Sequence, residues 1–295
     1  MRVAIYGRKF NDSAIQHVQQ LIDSFLAHEV EITIYAAFHA YLIPRIQLPD
    51  SVKLFTQHQD LLNQVDCLVS IGGDGTMLDT LTLVRDSGIP VIGINMGRLG
   101  FLASIAKTEI ATAVDSLVKG HFTIDKRSLI KLESNIELFN GLNYGLNDLT
   151  IHKKDTSSMI IIHTYLNGEF LNTFWSDGLI LSTPTGSTGY SLSCNGPVVF
   201  PESESFVITP IAPHNLNIRP IVIPNNNVIS FEVEGRMDDF ICTLDSRKEV
   251  VSKDVQLAVR KEAFSFNLVR LNENNFLRTL REKLTWGFDT RNRRS

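Results

Sequence analysis

Four short apolar runs mark the first hundred residues: 2–6 (RVAIY), 30–35 (VEITIY), 67–71 (CLVSI) and 90–95 (PVIGIN). Between the first two, Ile15, Val18, Leu21, Ile22 and Phe25 recur at the three- and four-residue intervals of one helix face. A second helical stretch is expected at roughly 76–87, between the last two, whose ends are punctuated by Gly and Pro. Strands that alternate with helices specify a parallel sheet with helices packed on its faces.

Past residue 121 the texture changes. Alternating segments 128–133 (SLIKLE), 159–166 (MIIIHTYL), 228–234 (VISFEVE) and 265–271 (SFNLVRL) read as antiparallel strands. Asn140-Gly141 and Asn167-Gly168 are suited to two-residue hairpin turns, because both residue types tolerate positive φ. The expected organisation is an α/β domain over 1–120 and a β-rich domain over 121–270. A C-terminal segment, 271–295, holds an apolar, charged run near 274–284 that reads as a helix returning to the first domain. The last residues, TRNRRS, read as a frayed basic end.

With 295 residues, 43% of them hydrophobic, the chain can fill two ordinary cores. A net charge of −4 supplies no basic field, so nucleic acid is not expected as a partner. Cys67, Cys194 and Cys242 are widely spaced, with no C-x-x-C pair and no zinc-ligand spacing, so no protein metal cage is expected. Reduced thiols, an apolar start too short for a signal peptide, and the lack of a run of about 18 apolar residues point to a soluble, cytoplasmic protein with no membrane partner.

Gly72-Gly73-Asp74-Gly75-Thr76 follows an apolar strand and precedes a helix. The carboxyl edge of an open α/β sheet is where ligands bind, and glycines with a helix start suit a phosphate. A carboxylate there needs a reason: Asp74 suits a general base on a hydroxyl, a metal ligand, or a plain cap on the helix beginning near Thr76. The stretch 176–193 (SDGLILSTPTGSTGYSLS) runs from a strand into small hydroxylated residues able to surround a polar ligand, with Tyr190 offering a ring. Asn147-Asp148 interrupts an otherwise strand-like run, and an Asn beside a carboxylate can bind a vicinal diol such as a ribose. No G-x-x-x-x-G-K-S/T and no G-x-G-x-x-G after the first strand occurs, which disfavours a P-loop enzyme and a hydride-transferring dehydrogenase. Ser187 lacks a nucleophile-elbow setting, which disfavours a serine hydrolase.

GGDGT at 72–76, GRLGFL at 97–102, Asn147-Asp148, DGLILSTPTGSTGYSLS at 177–193 and PIAPHNLNIRP at 210–220, in that order, resemble the NAD kinase family over most of the chain. The first motif alone is shared with diacylglycerol kinases and is similar to that of phosphofructokinases; the later segments are more specific. The resemblance implies an α/β N-terminal domain, a β-rich C-terminal domain, an active site between them and assembly as a homodimer or homotetramer. It implies transfer of the γ-phosphoryl group of ATP to the 2′-hydroxyl of the adenosine ribose of NAD, with a divalent cation, Mg²⁺, accompanying ATP.

Position by position, the resemblance makes Asp74 the catalytic base with Gly75 beside it, and Asn147 and Asp148 the ribose pair. It makes Asp177 the acid near the carboxamide, and Thr188, Gly189, Tyr190, Ser191, Leu192 and Ser193 the adenosine segment; Ala212 falls where a partner subunit lines the pocket. Family members commonly carry Glu at the place of Asp148, Ala at that of Gly189, and a basic residue near Trp175. Arg247, after Asp245-Ser246, is the candidate to supply that missing charge. Gly97, Gly100 and Phe101 read as pocket wall. The competing readings are a lipid kinase of the diacylglycerol class and a non-catalytic NAD sensor.

Overall fold

A computed structural model of the chain describes residues 1–285, apart from residues 11, 98, 155–157, 237 and 272–275. The basic end 290–295 and the start of the 274–284 run therefore lie outside the described residues. The chain forms two compact units: one gathers Met1–Asp125 and the chain from Asn267 on, the other Lys126–Phe266.

In the first unit the apolar runs become β1 (Arg2–Gly7), β2 (Glu31–Tyr35), β3 (Lys53–Phe55), β4 (Cys67–Ile71), β5 (Val91–Asn95) and the short β6 (Ile105–Ala106). The helices are α1 (Ile15–Ala27), α2 (Ala36–Leu42), α3 (Asp74–Val84) and α4 (Ile110–Val118). Strand order is β3-β2-β1-β4-β5, with β6 beside β5, and these pairings are parallel. All five residues of β4 and of β5 are buried, as central strands covered on both faces require. Val18, Leu21, Ile22 and Phe25 of α1 pack into the same core as Val3 and Ile5 of β1. β1 lies between β2 and β4, so the strand order reverses between β1 and β4, the place where ligands of such sheets bind.

Two more strands join this sheet, β7 (Phe122–Arg127) and β20 (Phe266–Leu271). The reading of 265–271 as one of the antiparallel strands of the β-rich half is corrected here: β20 runs parallel to β5, with Leu268 opposite Val91. Phe266, Leu268 and Val269 are all buried, so the segment lacks the polar face of a half-solvated strand. Helix α6 (Phe276–Leu284) follows, and its Phe276 ring lies 6.1 Å from that of Phe101 in the same unit.

The second unit holds β8 (Ile130–Ser134), β9 (Tyr144–Gly145), β10 (Asp148–Lys153), β11 (Ile160–Leu166), β12 (Glu169–Ser176) and β13 (Gly178–Ser182). After the short helix α5 (Tyr190–Ser193) come β14 (Ser205–Ile211), β15 (Ile221–Pro224), β16 (Ile229–Glu234), β17 (Asp239–Leu244), β18 (Arg247–Ser252) and β19 (Leu257–Lys261). They form two antiparallel six-stranded sheets, β15-β14-β13-β10-β17-β18 and β12-β11-β16-β19-β8-β9, whose inner faces share one apolar core. Asn167-Gly168, at φ 52° and 84°, makes the expected two-residue turn between β11 and β12. Asn140-Gly141 does not: it sits in the longer loop between β8 and β9, a helical turn with Phe139 and Asn140 at φ 54° and 51°. Cys67 and Cys242 are buried in β4 and β17, whereas Cys194, just after α5, is half-buried; all three are free thiols. No helix among the described residues is long and apolar enough to cross a membrane.

Candidate functional site

In the first unit the strand ends at Gly72, whose φ of 154° and crowding against Thr76, where a Cβ would meet Oγ1 at 2.3 Å, leave room only for glycine. Helix α3 begins at Asp74 with Gly73 as its N-cap, so Asp74 lies in the first turn and does not act as the side-chain cap. Its carboxylate turns to the loop after β5: Oδ2 accepts from the Phe101 amide at 2.8 Å, and Oδ1 from Leu102 and Ala103 at 3.0 Å each. Gly100 permits this approach, since a Cβ there would fall 1.9 Å from Asp74 Oδ1. Asn95 secures the loop from inside, accepting from the Gly97 amide at 2.6 Å and donating to the Ala103 carbonyl at 3.4 Å. GRLGFL is thus more than a wall. Gly73 and Gly75, in contrast, have open space where a Cβ would stand, so a ligand can approach their backbone.

Sequence reasoning missed one cation at this sheet edge. Gly7 at the end of β1 pairs in register with Ile71 at the end of β4, which places Arg8 next to the glycine loop. Asp79, on α3, takes Arg8 Nη2 at 2.6 Å and the Tyr6 hydroxyl at 3.0 Å, fixing the guanidinium while most of it stays exposed. Burial, and then the Asp79 charge, push the Tyr6 hydroxyl up to about 12.

In the second unit Asn147 and Asp148 stand where the chain enters β10. The buried 183–187 turn closes over them: the Thr183 hydroxyl donates to the Leu146 carbonyl at 2.6 Å, and the Thr183 amide to the Asn147 carbonyl at 2.8 Å. Gly186 touches that same carbonyl, where a Cβ would come within 2.1 Å, and a Cβ on Gly189 would lie 3.7 Å from Asn147 Nδ2. The opposite side is gripped by the β17–β18 turn, where Asp245 accepts from the Leu146, Asn147 and Asp148 amides at 2.8, 2.7 and 3.3 Å.

Asp148 is 7% exposed, and its only side-chain donor among the described hydrogen bonds is the Thr150 hydroxyl at 3.2 Å. Burial, and next the Asp245 charge, raise its pKa to about 7. In the unfolded chain the group titrates near its ordinary value of about 3.9, so between the two values only the folded chain holds the proton. Stability therefore falls as pH rises through that window, by up to about 1.4 kcal/mol per pH unit for this one group. Asp148→Asn is expected to remove that slope, which thermal unfolding of both proteins between about pH 5 and 7 will measure. Equal slopes would show that Asp148 does not carry it.

Tyr190 is 44% exposed, and burial followed by the charges of Cys194, Asp148 and Asp177 raises its hydroxyl pKa, which groups these side chains on one side of the unit. Ser187 and Ser191 face inward. The Ser187 hydroxyl donates to the Pro184 carbonyl at 2.7 Å, and that of Ser191 shares a 2.8 Å bond with Thr209. Thr188 donates to the Thr185 carbonyl at 3.2 Å, while Leu192 and Ser193 are progressively more exposed.

The model of the ATP-NAD kinase N-terminal domain matches residues 5–122, and that of the C-terminal domain residues 146–271. The chain belongs to the NAD kinase family. The NAD kinase of Cytophaga hutchinsonii is 49% identical over 99% of this chain and 100% of its own length, and that of Flavobacterium psychrophilum 46% over the same shares. A crystal structure of yeast NADH kinase complexed with NADH superposes with a TM-score of 0.88 at 24% identity, covering 99% of this chain and 90% of that one, which shows the fold. An NAD kinase from Archaeoglobus fulgidus in complex with ATP superposes with a TM-score of 0.76 at 25% identity, covering 97% and 99%.

Against this family frame the charges fall in unexpected places. Arg247 is half-buried, and its two terminal nitrogens donate to the Leu142 and Tyr144 carbonyls. It braces the chain leading into Asn147-Asp148, and burial lowers its pKa. Asp177, two residues beyond Trp175, is met by a cation from β10: Lys153 Nζ lies 2.6 Å from Asp177 Oδ1. Ala212, exposed and at φ 44°, follows the end of β14 and opens the loop on which Leu216 is 84% exposed.

Proposed function

We propose that this chain transfers the γ-phosphoryl group of ATP to the 2′-hydroxyl of the adenosine ribose of NAD, giving NADP. The carrying observation is the Asn147-Asp148 pair, fixed from one side by the 183–186 turn and from the other by Asp245. An amide and a carboxylate on adjacent residues suit the two hydroxyls of a ribose, and a kinase acting on lipid has no use for them. Full-length relatives named NAD kinase favour the same substrate over lipid.

Asp74 serves as the base. Its Oδ2 accepts a single amide and so keeps a lone-pair direction open for the hydroxyl proton. The ribose oxygen then bonds to the γ-phosphorus as the bond to the β–γ bridging oxygen breaks, and ADP leaves. The amides of Asp74 and Gly75, at the start of α3, face phosphate with a favourable dipole. Asp177 with Lys153, and the segment of Thr188, Gly189, Tyr190, Ser191, Leu192 and Ser193, contact the dinucleotide; Ala212 contributes at a subunit boundary of a homodimer or homotetramer.

The described residues contain no group of three His, Cys, Asp or Glu side chains able to cage a metal. An Mg²⁺ ion accompanying ATP would be held chiefly by phosphate oxygens and water and would offset the charge of the transferring group. Three free thiols suit a reducing, cytoplasmic setting. The test is incubation of the purified chain with NAD, ATP and Mg²⁺ and detection of NADP through an NADP-specific dehydrogenase. NADP formation supports the proposal. Binding of NAD with no turnover from any phosphate donor would favour a sensor, and no binding would redirect the search to lipid.

A further inference from the structure

We propose that Asp245 is a positioning residue for the acceptor nucleotide: its carboxylate presets the Leu146–Asp148 backbone so that the Asn147 and Asp148 side chains present together to the ribose. The inference rests on the reading of Asn147 and Asp148 as ribose contacts.

The geometry is built for this task. Oδ1 collects the Asn147 and Asp148 amides and Oδ2 the Leu146 amide, while the Asp245 amide returns a 3.0 Å bond to the Asp148 carbonyl. Three consecutive amides aimed at one carboxylate leave the segment a single conformation. Asp245 itself sits at φ 52° in the two-residue turn that joins Leu244 to Arg247, a conformation that Asp tolerates better than most residues. Gly145 makes way for it, since a Cβ there would stand 3.1 Å from Asp245 Oδ1. Two residues on, Arg247 holds the Leu142 and Tyr144 carbonyls, so one hairpin tip grips the whole approach to the pair.

A neutral side chain would staple a loop at lower electrostatic cost. Here a second carboxylate, its own pKa raised by burial, is placed near Asp148 and adds to the upward shift that burial gives that group, an arrangement typical of functional sites. The groups that face Asp148 are Asp245 from the turn, Thr150 from its own strand, Tyr190 from α5 and Cys194 just after it; Ser182 of β13 lies opposite in register. Arg247 faces Asp245 from β18.

The experiment is steady-state kinetics of the full chain from about pH 5.5 to about pH 8.5, varying NAD and ATP separately. In the wild type, KM for NAD should rise as pH falls below about 7, as Asp148 takes up a proton and loses the charge that strengthens its hydrogen bond to the ribose. Asp245→Asn should raise KM for NAD by about tenfold or more at the alkaline end, with kcat and KM for ATP within about twofold. It should also shift the midpoint of the NAD profile to lower pH, because the like charge is gone. Thr150→Val, which removes the hydrogen bond that favours ionised Asp148, should move that midpoint the other way, a sign reversal no general loosening produces. Should Asp245→Asn fail to fold, Gly145→Ala, which crowds the same carboxylate, carries the KM test. An unchanged KM for NAD, an equal change in both KM values, or midpoints moving in the same direction would overturn the role of Asp245. A wild type that forms no NADP would instead overturn the kinase reading itself.

Discussion

Asp74→Asn is expected to lower kcat for NADP formation by about 10²- to 10⁴-fold, the usual loss when a general base is removed, while NAD binding persists. Asn is the informative replacement because of where the carboxylate points. Its Oδ1 can continue to accept from Leu102 and Ala103, so that only the Phe101 bond is lost, whereas Ala would release all three amides at once. A large kcat loss in Asn with an unchanged melting temperature assigns the effect to proton transfer. If Asn turns over normally and Ala does not, Asp74 is a clasp on the loop after β5, and the base lies elsewhere.

Gly186→Ala is expected to destabilise the chain by about 1–3 kcal/mol, the usual cost of overpacking, and to raise KM for NAD. The added methyl would sit 2.1 Å from the Asn147 carbonyl oxygen and 2.5 Å from its carbon, which are backbone atoms with no rotamer to yield. The segment that carries Asn147 and Asp148 must therefore move. Gly73→Ala is the steric comparison for stability, since its methyl meets nothing within 4 Å and any loss reflects only the weaker N-cap that Ala makes. Urea unfolding of both variants, with KM for NAD measured on Gly186→Ala and the wild type, separates the cases; equal stability would show that the 183–186 turn is more pliable than its hydrogen bonds imply.

What the sequence disclosed, and what it did not, follows the range of the interactions. GGDGT could be read because strand, glycines and helix are contiguous, and the β-α-β texture because burial on two faces writes itself into local runs. The partners of Asp74 could not, because Phe101–Ala103 come 27 to 29 residues later and act through their backbone amides, which leave no trace in side-chain identity. The Lys153–Asp177 pair was hidden as well, since the register that sets His152 opposite Gly178 decides which cation reaches Asp177. Two Asn-Gly pairs met opposite fates. At 167–168 the flanking strands close directly, while at 140–141 the loop is held open by Arg247 and by the Phe139 amide donating to Glu249 at 2.7 Å. The direction of 265–271 was hidden for a similar reason, because its neighbour β5 lies more than 170 residues earlier.

The placement of the three thiols turns the chain into its own reporter. Burial pushes Cys67 and Cys242 up to about 12 and seals them within central strands, so an alkylating reagent meets neither until the protein unfolds. Cys194 alone is within reach, hydrogen-bonded to Tyr190 and close enough to Asp148 to feel its charge. One equivalent of maleimide therefore marks one position in the native protein, and the rate at which it does so reads out whether a ligand covers the neighbouring Asn147-Asp148 pair, with no label or mutation introduced.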